Sequence, residues 1–440
     1  MKLAPYPTYK SAGVSSVGKI PGHWFEKRAK YYFEEVDERS LNGDEEMLSV
    51  SHLTGVTPRS QKNVTMFKAE SNIGQKICQP GDLVINTLWA WMSALGVSGH
   101  HGIVSPAYGV YRPRTRRDYD SYYLDHLLRT EGYRSEYICR STGIQSSRLR
   151  LYPDKFLSMP VICPPLNEQE AISGFLRMQD ALVSKFIRNK KKQIELLKEL
   201  RSVLTYEAME CKDTKWIRLA RVASQVERPI GREDGVTYTP IGMFNRGRGI
   251  FHKQPAVGRD LGDSTFFWIE PGDLVFSGQF AWEGAVAIAQ QEDGGCIASH
   301  RYPIFTCDPE SAEAAYLYSF FTTKDGDLLL NLHSRGAAGR NRPLNPRTLT
   351  KEKIPVPPLD LQRKIASVLK LEFKFRNNVA RQISFIQERR ARMISDVVTG
   401  QVDVRHIDVP EITEEMLLAL DEEVAEMDMI EDEVGVDEDD

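Results

Sequence analysis

The sequence is poor in the features that would make it a membrane, secreted or self-sufficient catalytic protein. No apolar run approaches the ~18–20 residues needed to cross a bilayer. Six cysteines, Cys78, Cys139, Cys163, Cys211, Cys296 and Cys307, are scattered with no Cys-x-x-Cys pair. Met1–Lys10 has no apolar segment of a secretion signal, so free thiols in a reducing cytoplasm are expected. There is no G-x-x-x-x-G-K-[ST] phosphate loop and no G-x-G-x-x-G; Gly247-Arg248-Gly249 lacks the third glycine. Gly-x-Ser-x-Gly is absent, as is the Asn/Asp-Pro-Pro-aromatic run of an adenine-N6 methyltransferase. His100-His101 has no spaced thiol or carboxylate companions that would suggest a metal. The many carboxylates leave a metal nuclease open by residue type, but nothing places one.

What is present is 440 residues, enough for two or three domains at roughly 150 each. The hydrophobic fraction of 41% and charged fraction of 27% are those of a globular chain. The formal charge of −4 averages unlike parts. Residues 411–440 hold 15 Asp/Glu and no Lys or Arg, which leaves 57 basic against 46 acidic residues before them, a body of +11. A basic body suits a polyanionic partner.

The chain repeats itself. Pro80-Gly81-Asp82-Leu83-Val84 recurs as Pro271-Gly272-Asp273-Leu274-Val275, 191 residues on. Pro164-Pro165-Leu166-Asn167-Glu168-Gln169 recurs 193 later as Pro357-Pro358-Leu359-Asp360-Leu361-Gln362. Trp24 and Trp216 stand 192 apart, Trp91 and Trp282 191. Four matches in order at nearly constant offset indicate a duplication. Each copy opens with a mixed α/β globule, rich in Gly, Pro, aromatic and β-branched residues. Short strands are expected after the Pro-Gly-Asp turns, and helices near Tyr122–Thr130 and Ala312–Thr322.

Each copy ends in a long helix. Asn167 stands three before Glu170, the spacing of a capping box, and 42 residues from Glu168 to Met209 would make a rod of roughly 60 Å. Apolar residues recur by threes and fours, including Ile172, Phe175 and Leu182 in the first helix and Ile365, Val368 and Phe375 in the second. That spacing suggests a coiled-coil seam, and each helix is the other's nearest candidate partner, antiparallel within one chain. Thr399-Gly400 should stop the second helix. The expected divisions are 1–165, lead segment and first globule; 166–211, first helix; 212–357, second globule; 358–405, second helix; and 406–440, acidic tail. The tail's Met416, Leu417, Leu420, Val424 and Met427 form a short apolar stripe within an otherwise solubilising end.

Two similar globules on a basic body fit a split site on DNA, where paired readers sit about one helical turn, ~34–36 Å, apart. Features that differ between copies are candidates for reading different bases. The first copy offers Arg112, Arg114, Arg116 and Arg117, and Arg148; the second offers Arg246 and Arg248, and Arg335, Arg340 and Arg342. Arginine on a Gly-flanked loop can approach phosphates or guanine edges. Lys190-Lys191-Lys192 reads better as a solvated helix face. A DNA-modifying enzyme and a coiled-coil adaptor remain open at this point.

The run Tyr6-Pro7-Thr8-Tyr9-Lys10-Ser11-Ala12-Gly13-Val14 to Gly18-Lys19-Ile20-Pro21-Gly22-His23-Trp24 resembles the start of the specificity subunits of type I restriction–modification enzymes. So do the Pro164–Ile172 and Pro357–Ile365 runs, and Glu388-Arg389-Arg390 through Val398-Thr399-Gly400-Gln401-Val402-Asp403-Val404-Arg405. The resemblance covers about 1–405. It implies two target-recognition domains, each reading half of a bipartite double-stranded site. It also implies a helical ruler on whose seam residues two methylation subunits dock. The chain itself would be non-catalytic and hold no cofactor. S-adenosylmethionine would lie on the methylation subunits, and ATP and Mg on restriction motor subunits, all in the cytoplasm and away from membranes. Leu361 in place of Glu168, and the tail after Arg405, depart from the family pattern.

Overall fold

The computed structural model describes residues 4–61, 71–115, 118–143, 149–336 and 342–423. The chain divides into two compact units, Met1–Lys190 with Arg381–Asp440, and Lys191–Ala380. The unit boundaries cut through both long helices and so differ from divisions drawn at the helix ends.

Each unit is built on the same four-stranded antiparallel sheet. In the first the order is Phe33–Glu35, Gly109–Pro113, Leu83–Ile85, Leu95–Val97. In the second it is Ala223–Val226, Ile304–Cys307, Leu274–Phe276, Val286–Ile288. The central strands, Leu83-Val84-Ile85 and Leu274-Val275-Phe276, are apolar throughout because both faces are covered. Leu83 and Ile85 face the main core of their unit while Val84 faces a smaller cluster with Leu48 and Val104. Leu274 and Phe276 against Val275 repeat the arrangement. Phe276 meets Phe305 and Phe321 edge-on, at centroid separations of 5.5 and 5.0 Å. Two short helices close each main core, Ser121–Leu128 and Glu131–Arg140 in one, Ala314–Phe321 and Lys324–Leu332 in the other.

The repeated motifs do local work. Gln79-Pro80-Gly81-Asp82 is a turn closed by Asp82 N–H to Gln79 C=O at 3.0 Å, with Gly81 at φ +93°. Glu270-Pro271-Gly272-Asp273 matches it at 3.1 Å, with Gly272 at +92°. Proline at the second place and a left-handed glycine at the third are what a type II turn requires. Each aspartate then accepts the N–H of its own turn's first residue, at 2.9 and 2.8 Å.

The long helices span Leu166–Met209 and Leu359–Val398, 44 and 40 residues. Their starts are held by a fully buried glutamine rather than a capping box. Gln169 donates to the carbonyls of Pro164 and Asp118 and accepts from Asp120 N–H, at 2.9, 3.0 and 2.9 Å. Gln362 does the same with Pro357, Ser311 and Glu313, at 2.8, 3.2 and 2.8 Å. Asn167 is already inside the first turn, so the expected cap does not form. The second helix stops at Val398, and Gly400 follows at φ +74°. A Cβ there would lie 2.3 Å from Pro21 Cδ, so the stop also needs close packing.

Within each unit the helices run antiparallel. Asp180 meets Arg390 in the first, and Arg201 meets Glu372 in the second, at 2.7 and 2.8 Å. Trp24 and Trp216, in contrast, are not equivalent. The edge pairings align Phe25 with Cys163 and Lys215 with Val356. Trp24 therefore precedes its strand and is buried, whereas Trp216 lies within its strand and is 65% exposed.

Trp24 is covered by residues 4–6 and 400–405, which lie together in the first unit. Glu168 accepts from Tyr6 Oη at 3.1 Å and Trp24 Nε1 at 3.0 Å, and pairs with His23 at 2.7 Å. Asp403 N–H donates to Ala4 C=O at 2.8 Å, and Arg405 packs over the Tyr6 ring. The Glu168/Leu361 difference follows: only the first copy has this clasp to hold. The acidic end is not wholly free either, since residues 414–423 form a helix.

Candidate nucleic-acid interface

The arginines singled out in the sequence have different fates. Arg112, on the strand Gly109–Pro113, donates to Asp82 through Nε and Nη2, both at 3.0 Å, and to Glu38 through Nη1 at 2.9 Å. Asp82 is 2% exposed, so this guanidinium neutralises a buried carboxylate. Those hydrogen bonds raise Arg112 above the ordinary guanidinium range. In the second unit Arg228 serves Asp273 in the same way, at 2.8 and 3.0 Å. The two copies thus use arginines from different places for one scaffold task, Arg112 within a strand and Arg228 two residues past the strand Ala223–Val226, and the structure places Arg112 as a support of the sheet. Arg114 is half exposed, with contacts to Glu34 and the Lys30 carbonyl. Arg116, Arg117, Arg148 and Arg340 lie outside the described residues.

In the second unit three of the candidates gather round one turn. Ala281–Glu283 ends in Gly284 at φ +70°. Its carbonyls at Glu283 and Gly284 accept the N–H groups of Arg246 and Gly247, at 3.0 and 2.8 Å. Tyr318 Oη donates to Gly247 C=O at 2.7 Å from the core side. The loop is therefore fixed at its backbone while both arginine side chains remain exposed. Arg246 itself holds φ +56°, a left-handed conformation that costs a non-glycine residue about 1 kcal/mol or more. Arg248 lies over the Phe244 ring at 5.2 Å, and Arg342 over Trp282 at 4.9 Å. Arg335 is exposed and apart from these, its Nε donating to Leu332 C=O.

Beneath the loop is a cleft of about 460 Å³. Lys198, Arg201 and Arg376 line it with Arg246 and Arg248, against Glu195, Glu199 and Glu372. Glu372 is matched by Arg201 and Glu195 by Lys198, which leaves Arg246, Arg248 and Arg376 against Glu199, a positive excess. Such a cradle can hold phosphate oxygens by charge-assisted hydrogen bonds. Lys198 and Arg376 escaped the sequence reading because they sit on helix faces with no Gly-rich signal around them.

The first unit has the corresponding turn at Ala90–Met92, closed by Ser93 at φ +65°. Trp91 Nε1 donates to Leu88 C=O at 3.0 Å, as Trp282 Nε1 does to Gln279 C=O at 3.1 Å. An aromatic side chain is exposed before each turn, Phe280 at 39% and Trp89 at 42%, and Trp89 also stacks on Trp91 at 6.5 Å. The repeated tryptophan marked this place in the sequence, but its neighbour Trp89 was passed over.

The seam residues divide as well. Ile172, Phe175 and Ile365 are buried in the cores of their own units, which corrects their reading as partner-docking residues. Val368 and Phe375 are half-buried, and Leu182 is exposed. Among the described residues, no group of three or more His, Cys, Asp or Glu is placed to hold a metal ion, and no helix is long and apolar enough to cross a membrane. All six cysteines are free, and burial pushes the Cys78 thiol up to about 12.

No protein-family model and no curated protein matches the sequence. Solved structures are similar in fold. A chain from work on complex assembly and conformational transition of the type I R-M system superposes with a TM-score of 0.53 at 14% identity, over 87% of this chain and 99% of that one. The HsdS subunit from Thermoanaerobacter tengcongensis gives 0.46 at 15% identity, over 87% and 98%. The type I restriction–modification S subunit from M. genitalium gives 0.43 at 12%, over 89% and 97%. The first likeness shows a shared fold over nearly the whole of both chains.

Proposed function

We propose that the chain is the DNA-specificity subunit of a type I restriction–modification complex, working in the cytoplasm. Each globule reads one half of a bipartite double-stranded site, and the two long helices set the gap. The observation that carries this reading is the duplicated sheet–turn–helix unit, with its latched helix starts, in a fold shared with a chain of such a system. The Arg246–Arg248 loop supplies phosphate contacts or base contacts in the second unit, and Arg342 joins it across the Trp282 turn. In the first unit Arg114 and Trp89 are the exposed groups, with Arg116, Arg117 and Arg148 as further contacts on sequence grounds.

Methylation subunits would dock on helix surface left bare by the internal packing. In the first unit Leu182 and Phe385 are exposed; in the second, Leu196, Leu200, Val203 and Leu371 are. S-adenosylmethionine would be held by those subunits, ATP and Mg by a restriction motor, and this chain would carry out no chemistry of its own. The test is to co-express the chain with its methylation subunit and map the methylated adenines. Two half-sites separated by a fixed unspecified gap are expected. A single continuous site, or methylation by the chain alone, would overturn the reading.

A further inference from the structure

The segment after Arg405, which the repeat does not explain, lies against the helix pair of the first unit. A side chain at Gly174 would come within 4.0 Å of Val409. Lys185 pairs with Glu415 at 2.8 Å, Arg188 with Glu422 at 3.0 Å, and Arg390 with Glu423 at 2.9 Å. Ser184 Oγ also donates to Glu423. Met416 and Ala419 are 7% and 1% exposed, whereas Leu417 and Leu418 are each 49% exposed. Positions 415, 416, 419, 422 and 423 form one stripe of a helix, so the contact is a face of fixed pattern.

The chemistry of that face is specific. It takes one long and one small apolar side chain, Met416 and Ala419, flanked by three carboxylates. Arg390 is shared between Glu423 and the buried Asp180, so the receptor is part of the helix pair's own ion network. A nucleic acid would match the cations but has nothing to fill the places of Met416 and Ala419. The geometry points to a docking site for an acidic amphipathic protein helix, with residues 409–423 as its resident occupant. Any partner that uses this face of the helices must displace the strap, and it competes against a ligand tethered on the same chain. Nine further acidic residues lie in 424–440 with no base among them, and they raise the negative charge of whatever is displaced.

The test uses the full chain. Glu415→Lys with Glu422→Lys, both at side chains more than half exposed, should release the strap and leave the receptor intact. A fluorescent peptide of residues 408–423 should then bind that variant one to one, and bind the unaltered chain at least ~tenfold more weakly because the resident strap competes. Lys185→Glu with Arg188→Glu should abolish binding of the native peptide and admit a peptide carrying both lysine changes. Equal peptide binding by the unaltered and released chains, or none by the released chain, would overturn the proposal. So would displacement of the peptide from the released chain by a duplex oligonucleotide but not by excess unlabelled peptide.

Discussion

Arg201 Nε donates to Glu372 Oε2 at 2.8 Å, and the two side chains retain only 8% and 2% exposure. The pair joins the long helices inside the second unit, and Arg201 also bonds Thr322 and lies over Tyr318. A buried pair of this kind is costly to break from one side, because the survivor is left charged and unpartnered. Arg201→Met or Glu372→Gln should each destabilise the unit by about 3–5 kcal/mol in denaturant titration. The double change to two apolar residues should recover most of that loss. Additive losses in the double variant would contradict a direct pairing.

Glu168 accepts from Tyr6, from Trp24 and, at 3.5 Å, from Arg405, and it pairs with His23. Glu168→Leu, which installs the residue found in the second copy, should cost about 1–3 kcal/mol for each buried donor left unsatisfied. The loss should be read by hydrogen exchange in residues 4–24 and 399–407. Leu361→Glu should not create a second clasp, since Trp216 does not occupy the place of Trp24 and is 65% exposed on its strand.

Asp403 adds an acid-sensitive element to the same clasp. Hydrogen bonds from Arg405 hold its carboxyl below the usual carboxylate range. A depressed folded value stabilises at pH above the unfolded value, near 4, and that contribution is lost as pH falls through the folded value. The first unit should therefore weaken on acidification below about pH 4. Asp403→Asn should be less stable at neutral pH and show a flatter decline in acid. Parallel pH profiles for the two proteins would count against the assignment.

Arg246 and Arg248 should act through phosphates or base edges, Arg112 through the fold. If both loop arginines meet phosphates, Arg246→Ala with Arg248→Ala should flatten the slope of log K against log salt by about 1.8, at 0.9 per contact. Thermal stability should hardly move, because the loop's backbone bonds remain. Arg112→Ala should do the reverse and lower stability by exposing the buried Asp82 to no cation. A stable Arg112→Ala protein with relaxed base selectivity would restore its place among the readers.

The residues that made the architecture legible are those that fix backbone. Pro80-Gly81-Asp82 and its copy dictate a turn and the strand after it, and Pro-Pro followed four residues later by glutamine dictates a helix start, whatever surrounds them. Trp24 and Trp216 misled because equal spacing does not fix register; the strand partners Cys163 and Val356 do. The charge-bearing residues were the least legible. Arg112 and Arg246 look alike in sequence, and only the position of Asp82 across the sheet and of the Gly284 turn separates a buried counter-ion from an exposed contact. Of the apolar stripe expected in the tail only Met416 is buried, with Ala419 in place of Leu417, which is 49% exposed, while Val424 and Met427 lie outside the described residues; the receptor is assembled from Ser184, Lys185, Arg188 and Arg390, on two helices some 200 residues apart in the chain.

The bond from Asp403 to Ala4 joins residues almost four hundred positions apart in the sequence. A contact between such distant residues has a loop-closure cost that local turns and helices do not. The clasp should therefore close late in folding, after the Pro-Gly-Asp turns and the latched helix starts have formed from neighbouring residues.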